Sequence, residues 1–292
     1  MDISITVMNA GGECPTAFFV TRFGLLSSES LIRFIIRIMN RMVQTEQAIN
    51  LIRKSNRIVA LSGAGISTEA GIPDFRGPGG MWEDPKLLNQ LSLSGFRSDP
   101  EGFYKASVKL FSTIARAEPT LAHRLLVRLE QLGKILAIST QNIDGLHHAA
   151  GSTVVHELHG TYRTGHCTQC GTAYEMAGFY SEIEAGRLKV PLCAGCSVPI
   201  KPDVVLFEEL LPVDAWQGSV DAAGNCDLML VFGSSLVVYP AAELPMIAIS
   251  NGAPLVIVNM EPTSYDAMAA VTVRGKLGEF AKAASAAFAQ PE

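Results

Sequence analysis

Six short apolar runs rich in β-favouring residues, most of them set apart by stretches long enough for a helix, leave this chain few ways to fold. They are RIVALSGAG (57–65), KILAISTQN (134–142), DVVLF (203–207), DLMLVFGSS (227–235), PLVIVNME (254–261) and AVTV (270–273). Continuous apolar runs of this length belong to strands buried on both faces, as in a parallel sheet. Helical patterns occupy 43–54, 100–117, 120–132 and 277–289, the third opening on the start signals Pro119 and Thr120. The alternation predicts an α/β fold with a doubly wound parallel sheet.

Four of the runs end in small or polar residues: Gly63 and Gly65, Gln141 and Asn142, Ser234 and Ser235, Asn259 and Glu261. Ligands of open parallel sheets bind beyond the carboxyl ends of the strands, so these endings are expected to line one crevice. Two stretches interrupt the alternation. One is 77–119, after the turn-rich RGPGG, and the other is 161–202, which holds four paired cysteines. Both read as insertions that together form a smaller module. The sheet domain is then built from 42–76, 120–160 and 203–292, behind an N-terminal extension, 1–41.

That extension differs from the rest: its four arginines and three acidic residues give +1, leaving −6 for the remainder of a chain whose net charge is −5. Arg33, Arg37 and Arg41 would form one basic stripe on an otherwise apolar helix, a surface-seeking pattern. The simpler expectation is that translation begins at Met39 or Met42, since the sequence from there runs smoothly as helix then strand. No run reaches the ~20 apolar residues of a membrane span, and the small net charge suggests neither nucleic-acid nor membrane attraction.

Six cysteines are present, of which Cys14 and Cys226 stand alone. Cys167 and Cys170 repeat the spacing of Cys193 and Cys196, with Gly171 and Gly195 supplying turn freedom. Two C-x-x-C knuckles are expected to close a tetrahedral shell around one structural Zn2+, leaving no open position for catalysis. A redox pair is the competing reading, but it leaves one pair without a use. Paired and lone cysteines of this kind fit a reducing, cytoplasmic setting.

The turn VALSGAGISTEAGIPDFRG follows a strand, and Gly63-Ala64-Gly65 lets backbone amides approach a pyrophosphate. It departs from G-x-G-x-x-G, because Thr68 occupies the third glycine's place. No second strand carries an acid about 20 residues on, as a dehydrogenase requires. The turn therefore suggests a nucleotide without hydride transfer, its adenosine ribose met by Asn259 and Glu261.

GAGIST, GIPDFRG, TQNIDGLH, ELHGT, the two C-x-x-C pairs, KPDVVLFEE, GSSLVVYPAAELP and VNMEPT follow one another as they do in sirtuins, and the chain resembles that family over about 45–285. The resemblance implies a Rossmann-like domain, a smaller zinc-ribbon plus helical module, and a cleft where NAD meets an acyl-lysine protein or peptide. It makes Gly63, Ala64, Gly65, Thr68, Phe75 and Arg76 contacts of the pyrophosphate and nicotinamide ribose. Gln141 and Asn142 would order the ribose, and Ile143 and Asp144 would hold the nicotinamide carboxamide. Gly233, Ser234, Ser235, Asn259, Glu261 and Leu277 would surround the adenosine half. His159 would be the general base, with Asn142 and Asp144 the other catalytic positions. Val205, Phe207, Glu208, Glu209 and Val237 would bind the peptide. The implied reaction is removal of acyl, chiefly acetyl, groups from protein lysines, giving nicotinamide and O-acyl-ADP-ribose.

These residue types suit that chemistry. An imidazole activates a hydroxyl near neutral pH. Gly160, after His159, is expected to leave room for substrate. His123, His147, His148, His156 and His166 are expected to have structural or solvated roles. Two departures stand out. Sirtuins usually have glycine where this chain has Glu208, which is expected to favour basic residues beside the acyl-lysine or to narrow the channel, at a cost if φ is positive. Succinyl-preferring sirtuins carry Tyr-x-x-Arg where this chain has Tyr104 and Ser107, so acetyl or longer apolar groups are expected over succinyl. Transfer of ADP-ribose to a protein side chain, and a silent NAD-responsive binding module, are the alternatives.

Overall fold

The computed structural model describes residues 6–8, 18–21, 24–74 and 85–289. Strands β1 (Thr6–Met8), β2 (Phe18–Thr21) and β3 (Gly24–Ser27) form a small antiparallel sheet, a unit that the sequence pattern did not announce. Helix α1 (Ser28–Lys54) begins well before the expected position 43 and leads into β4 (Ile58–Ser62). Helices α2 (Pro85–Gln90), α3 (Leu93–Ser98) and α4 (Pro100–Arg116) follow in the first insertion. Asp99 caps α4 by accepting from the Gly102 amide at 2.9 Å, with Pro100 at the first turn, where its missing N–H costs nothing. Helix α5 (Leu121–Gln131) starts from Thr120 in a capping box whose return partner is His123.

Next come β5 (Ile135–Thr140), the short α6 (Leu146–Ala150) and β6 (Val155–Glu157). The second insertion holds β7 (Gly160–Cys167), β8 (Ala173–Glu175), α7 (Ala177–Glu184) and β9 (Ile200–Val204). The chain ends with α8 (Val213–Asn225), β10 (Leu228–Phe232), α9 (Leu244–Ser250), β11 (Leu255–Asn259), β12 (Val271–Arg274) and α10 (Leu277–Ala287).

The main sheet has the order β12-β11-β10-β4-β5-β6, and every neighbouring pair is parallel. Counting from β4 as the first strand, this is the 3-2-1-4-5-6 order of a doubly wound nucleotide-binding sheet, whose winding reverses between β4 and β10. Period-two alternation decides which side chain faces which layer. Ile58, Ala60, Leu230, Phe232, Val256 and Val258 pack with Ile52, Leu125, Leu126, Leu129 and Phe280 under α1, α5 and α10. Val59, Leu61, Met229, Val231, Leu255 and Ile257 face the other way, under α8 and α9. Full burial of Leu125, Leu126 and Leu129 stabilises the first layer by about 2 kcal/mol per side chain.

The two insertions share a third apolar cluster. Phe96, Phe103, Tyr104, Phe111 and Ile114 from the helices meet Cys167, Met176, Tyr180, Cys193 and Ile200 from the cysteine-bearing segment. One expectation fails here. The run 203–207 is not a strand of the parallel sheet: β9 takes in its first two residues and pairs antiparallel with β7, in a three-stranded sheet of order β8-β7-β9. Its burial alternates, with Ile200 and Pro202 inside and Lys201 and Asp203 only half-buried, as suits a sheet covered on one face. The sixth parallel strand is instead β6.

Candidate active site

All four strand endings open into one cavity of about 820 Å³ at the reversal point of the sheet. Gly63, Gly65, Gln141, Asn142, Ser234, Ser235, Asn259 and Glu261 all line it. The turns after β4 and β10 meet backbone to backbone: the Gly65 amide donates to the Gly233 carbonyl at 2.9 Å, and the Gly63 amide to the Phe232 carbonyl at 3.1 Å. A Cβ on Gly65 would lie 2.7 Å from the Gly233 Cα. Gly233 itself has φ 63°, and a Cβ there would lie 2.5 Å from the Gly65 carbonyl carbon. Only glycine satisfies both positions. Ala64, Thr68 and Leu277 also line the cavity. Phe75 and Arg76 lie outside the described residues.

Between Gln141 and Leu146 the chain is tied to the glycine turn. Asn142 Nδ2 donates to the Gly63 carbonyl at 3.2 Å and to Ser67 Oγ at 3.1 Å, and Ser67 Oγ donates to Asp144 Oδ2 at 2.6 Å. The Leu146 amide donates to Asp144 Oδ1 at 2.9 Å. Burial pushes the Asp144 carboxyl above its ordinary range, against these hydrogen bonds and the charge of Arg163. Ile143 lines the cavity, whereas Asp144 lies beneath the loop and does not.

His159 lines the cavity, with its Nδ1 2.8 Å from the Gln141 carbonyl oxygen. That oxygen can only accept, so Nδ1 carries a proton, and a neutral ring would have its lone pair on Nε2. Gln141 is itself fixed, its Nε2 donating to Ser234 Oγ at 2.9 Å. Gly160 serves a different need from the one expected. It has φ 71°, and a Cβ there would fall 1.8 Å from the Asp203 carbonyl oxygen, so glycine admits the close approach of β9.

A second limb of the cavity is apolar, and of its lining only Ser107 and Ile143 are named from the sequence. Phe103, Ser107, Leu110 and Phe111 come from one face of α4, joined by Leu91 and Ile143. Their i, i+4, i+7, i+8 spacing reads equally well as core packing, and cavity and core differ only in what lies opposite. Tyr104 is not part of this limb: it is fully buried, and its hydroxyl donates to the Ile200 carbonyl at 2.5 Å. Val205, Phe207, Glu208 and Glu209 line the mouth; Val237 does not, though its neighbours Val238 and Tyr239 do. Glu208 has φ 79°, the left-handed conformation suspected from its replacement of glycine.

The Sγ atoms of Cys167, Cys170, Cys193 and Cys196 all lie within 4.8 Å of one another. Cys170 Sγ and Cys193 Sγ are 3.7 Å apart, close to the ~3.8 Å edge of a tetrahedron with zinc–sulfur bonds of about 2.3 Å. The Gln169 and Cys170 amides point at Cys167 Sγ, each at 3.4 Å, and Tyr174 Oη donates to Cys193 Sγ at 3.2 Å, as suits thiolate acceptors. All four are free of disulfides, so the donor set fits one closed zinc site.

The other histidines have local partners. His156 lies in β6 against Gly218, His148 is 3.9 Å from Glu157, and His166 is 2.6 Å from Asp203. His123 and His147 are buried ring against ring, 4.7 Å between centroids, with His147 Nε2 2.8 Å from Ser62 Oγ.

The sequence pattern of the Sir2 family matches residues 63–240. The NAD-dependent protein deacetylase of Thermotoga maritima is 42% identical over 240 residues, covering 82% of this chain and 96% of that protein. NAD-dependent protein deacylase 2 of Archaeoglobus fulgidus is also 42% identical, over 81% of this chain and 92% of its own length. Among solved structures, one described as Sir2-p53 peptide-NAD+ superposes with a TM-score of 0.77 at 41% identity, covering 83% of this chain and 98% of that one. Another, Sir2 bound to acetylated peptide, gives a TM-score of 0.76 at 38% identity over 84% and 99%. Fold and sequence thus agree from the glycine turn through the cysteine knuckles to the last strands, and the chain belongs to the Sir2 family.

Proposed function

We propose that this protein is an NAD-dependent protein-lysine deacylase, acting chiefly on acetyl-lysine and yielding nicotinamide and O-acyl-ADP-ribose. One observation carries the reading: a polar crevice at the strand ends and an apolar limb from α4 belong to one cavity, and His159 lines it. The crevice suits a dinucleotide and the limb suits an acyl chain on a lysine stem, which transfer of ADP-ribose to an unmodified side chain would leave empty. Relatives of this chain are named NAD-dependent protein deacetylases or deacylases, and solved structures at about 40% identity carry acetylated or propionylated peptides.

When bound, NAD supplies an electrophilic ribose carbon with nicotinamide as its leaving group. The Gly63–Gly65 turn receives the phosphates, and Ser234, Ser235, Asn259, Glu261 and Leu277 receive the adenosine half. Asn142, held on Gly63 and Ser67, fixes the loop that faces the reacting ribose. Asp144 acts through that loop, holding Ser67 and the Leu146 amide. His159, with its proton on Nδ1, offers Nε2 to a ribose hydroxyl. Val205, Phe207, Glu208 and Glu209 form one wall of the peptide channel and the segment around Val237 the other, so the substrate adds as a strand between them. Cys167, Cys170, Cys193 and Cys196 hold one structural zinc. The segments 77–119 and 161–202 act as one small module against the sheet domain. No helix among the described residues is long and apolar enough to cross a membrane, and free cysteines support a reducing, cytoplasmic setting.

No cation of α4 points into the apolar limb, where Ser107 stands, so acetyl or longer apolar groups are preferred over succinyl. The test is nicotinamide release from NAD with and without acetyl-lysine and succinyl-lysine peptides. Release that depends on the acetyl peptide is expected. Equal release without peptide, or faster desuccinylation, would overturn the reading.

A further inference from the structure

Glu208 is exposed, which is the usual condition of a glutamate, but its backbone is not usual: it holds φ 79° without being glycine. Such a conformation persists where surrounding contacts over-determine it. The contacts here run to the start of α3. Ser94 donates twice to the Glu208 carboxylate, from its amide to Oε2 at 3.0 Å and from its hydroxyl to Oε1 at 2.9 Å. One residue earlier, the Leu93 amide donates to the Phe207 carbonyl at 3.1 Å, and Ser92 bridges to Phe207 in parallel fashion. On the opposite flank, Glu209 Oε2 accepts from the Leu206 amide at 2.9 Å and from Lys201 Nζ at 2.8 Å. The turn 206–209 is thus held at both ends, by its own neighbours and by the helical insertion.

That turn lines the mouth of the cavity, and Leu91, just before α3, lines the apolar limb. The Glu208–Ser94 contact therefore joins the wall expected to meet the peptide backbone to the wall expected to meet the acyl chain. Each oxygen of the carboxylate already accepts a bond from Ser94, its amide or its hydroxyl, which fixes the side chain against the start of α3.

We propose that Glu208 is a positioning residue that latches the peptide-channel wall onto Ser94, setting the affinity for acyl-lysine peptides through pre-ordering of the wall and not through attraction of substrate charge. This rests on the deacylase reading above. A pre-ordered strand edge spares the substrate the cost of organising it, so the effect belongs in peptide KM and leaves kcat largely alone.

The test compares wild type with Glu208→Gly, Glu208→Gln and Ser94→Ala on two acetyl-lysine peptides, one neutral and one flanked by Lys and Arg. Glu208→Gly and Ser94→Ala should each raise peptide KM by about three- to tenfold, equally for both peptides, the span expected when one or two exposed charge-assisted bonds are lost. Their double variant should be no worse than Glu208→Gly alone, because Ser94→Ala removes only the hydroxyl's part of a contact that Glu208→Gly removes whole. Glu208→Gln keeps an acceptor for the Ser94 amide and should recover most of the loss. Loss confined to the basic-flanked peptide would overturn the latch in favour of charge selection, as would additive effects of the two single changes. Unchanged KM in both single variants would also overturn it. A wild type inactive on both peptides would instead refute the deacylase reading.

Discussion

The backbone contact between the turns after β4 and β10 makes a prediction whose size can be worked from distances. Replacing Gly65 by alanine places a Cβ 2.7 Å from the Gly233 Cα and 2.8 Å from its carbonyl oxygen, where ordinary contact begins at 3.4 Å. Both obstacles are backbone, so no side chain can swing aside; the turns must part by about 0.7 Å. The hydrogen bond from the Gly65 amide to Gly233, now 2.9 Å, then stretches beyond useful length. Overpacking costs about 1–3 kcal/mol and the lost bond about 1 kcal/mol. Because these turns form the floor of the cavity, NAD affinity should fall by about 10- to 100-fold. Gly233→Ala should be worse by about another 1 kcal/mol, since it adds a left-handed backbone penalty to a 2.5 Å clash. Gly133→Ala isolates that backbone penalty, because Gly133 has φ 69° with nothing within 4 Å of its missing Cβ. Calorimetric titration with NAD, alongside melting by circular dichroism, measures both effects. If Gly65→Ala binds NAD within about threefold of wild type and melts unchanged, the reasoning from close backbone approach is wrong.

Three further outcomes are expected. Stripping zinc with a chelator, or Cys193→Ser, should remove on the order of 10 kcal/mol of folding free energy from the small module, seen as loss of about one zinc per chain by atomic absorption, a lower melting temperature and lost turnover; an intact, active, zinc-free protein would contradict the four-cysteine assignment. His159→Ala should lower deacylation by about 10²- to 10⁴-fold while NAD still binds by calorimetry, and retention of most turnover would refute its role as base. Burial lowers His123 from 6.5 to about 4, and burial likewise lowers His147. The unfolded chain then binds more protons in mildly acid solution, so the stability these groups contribute is full above about pH 6.5 and is lost as pH falls towards 4. His123 alone should account for about 2 kcal/mol between pH 7.5 and 5, read as a lower urea midpoint, and equal midpoints at the two pH values would contradict its burial as a neutral ring.

What could be read in advance was what chain-local chemistry dictates. Strands β4, β5, β10, β11 and β12 declared themselves because two-sided burial demands continuous apolar runs, and their polar endings declared the crevice. The cysteines did so because thiolate geometry tolerates few spacings. The run 203–207 misled because a short apolar segment does not say whether one or both of its faces will be covered. Phe103, Leu110 and Phe111 stayed hidden because an amphipathic helix looks the same over a cavity as over a core. Glu208 was recognised as a departure, but its partner Ser94 stands 114 residues away, and only the fold brings the two together. Gly160 was noticed for the wrong reason, since the carbonyl it must clear belongs to Asp203 on another strand.

Strand β7 begins beside His159 and ends at Cys167, the first zinc-cluster cysteine. Its ends pair with points four residues apart on β9, Gly160 opposite Val204 and Cys167 opposite Ile200, so the bulged strand is an arm of about 14 Å with His159 near one end and the cysteine cluster at the other. Its near end is pinned: Gly160 packs against Asp203, and the neighbouring His159 is bound to the Gln141 carbonyl. A swing of about 10° about that point would carry the cysteine cluster some 2 Å and the imidazole hardly at all. In mechanical terms His159 sits at the pivot and the cysteine cluster at the rim, so any change in the small module's angle would displace the cluster far more than the imidazole.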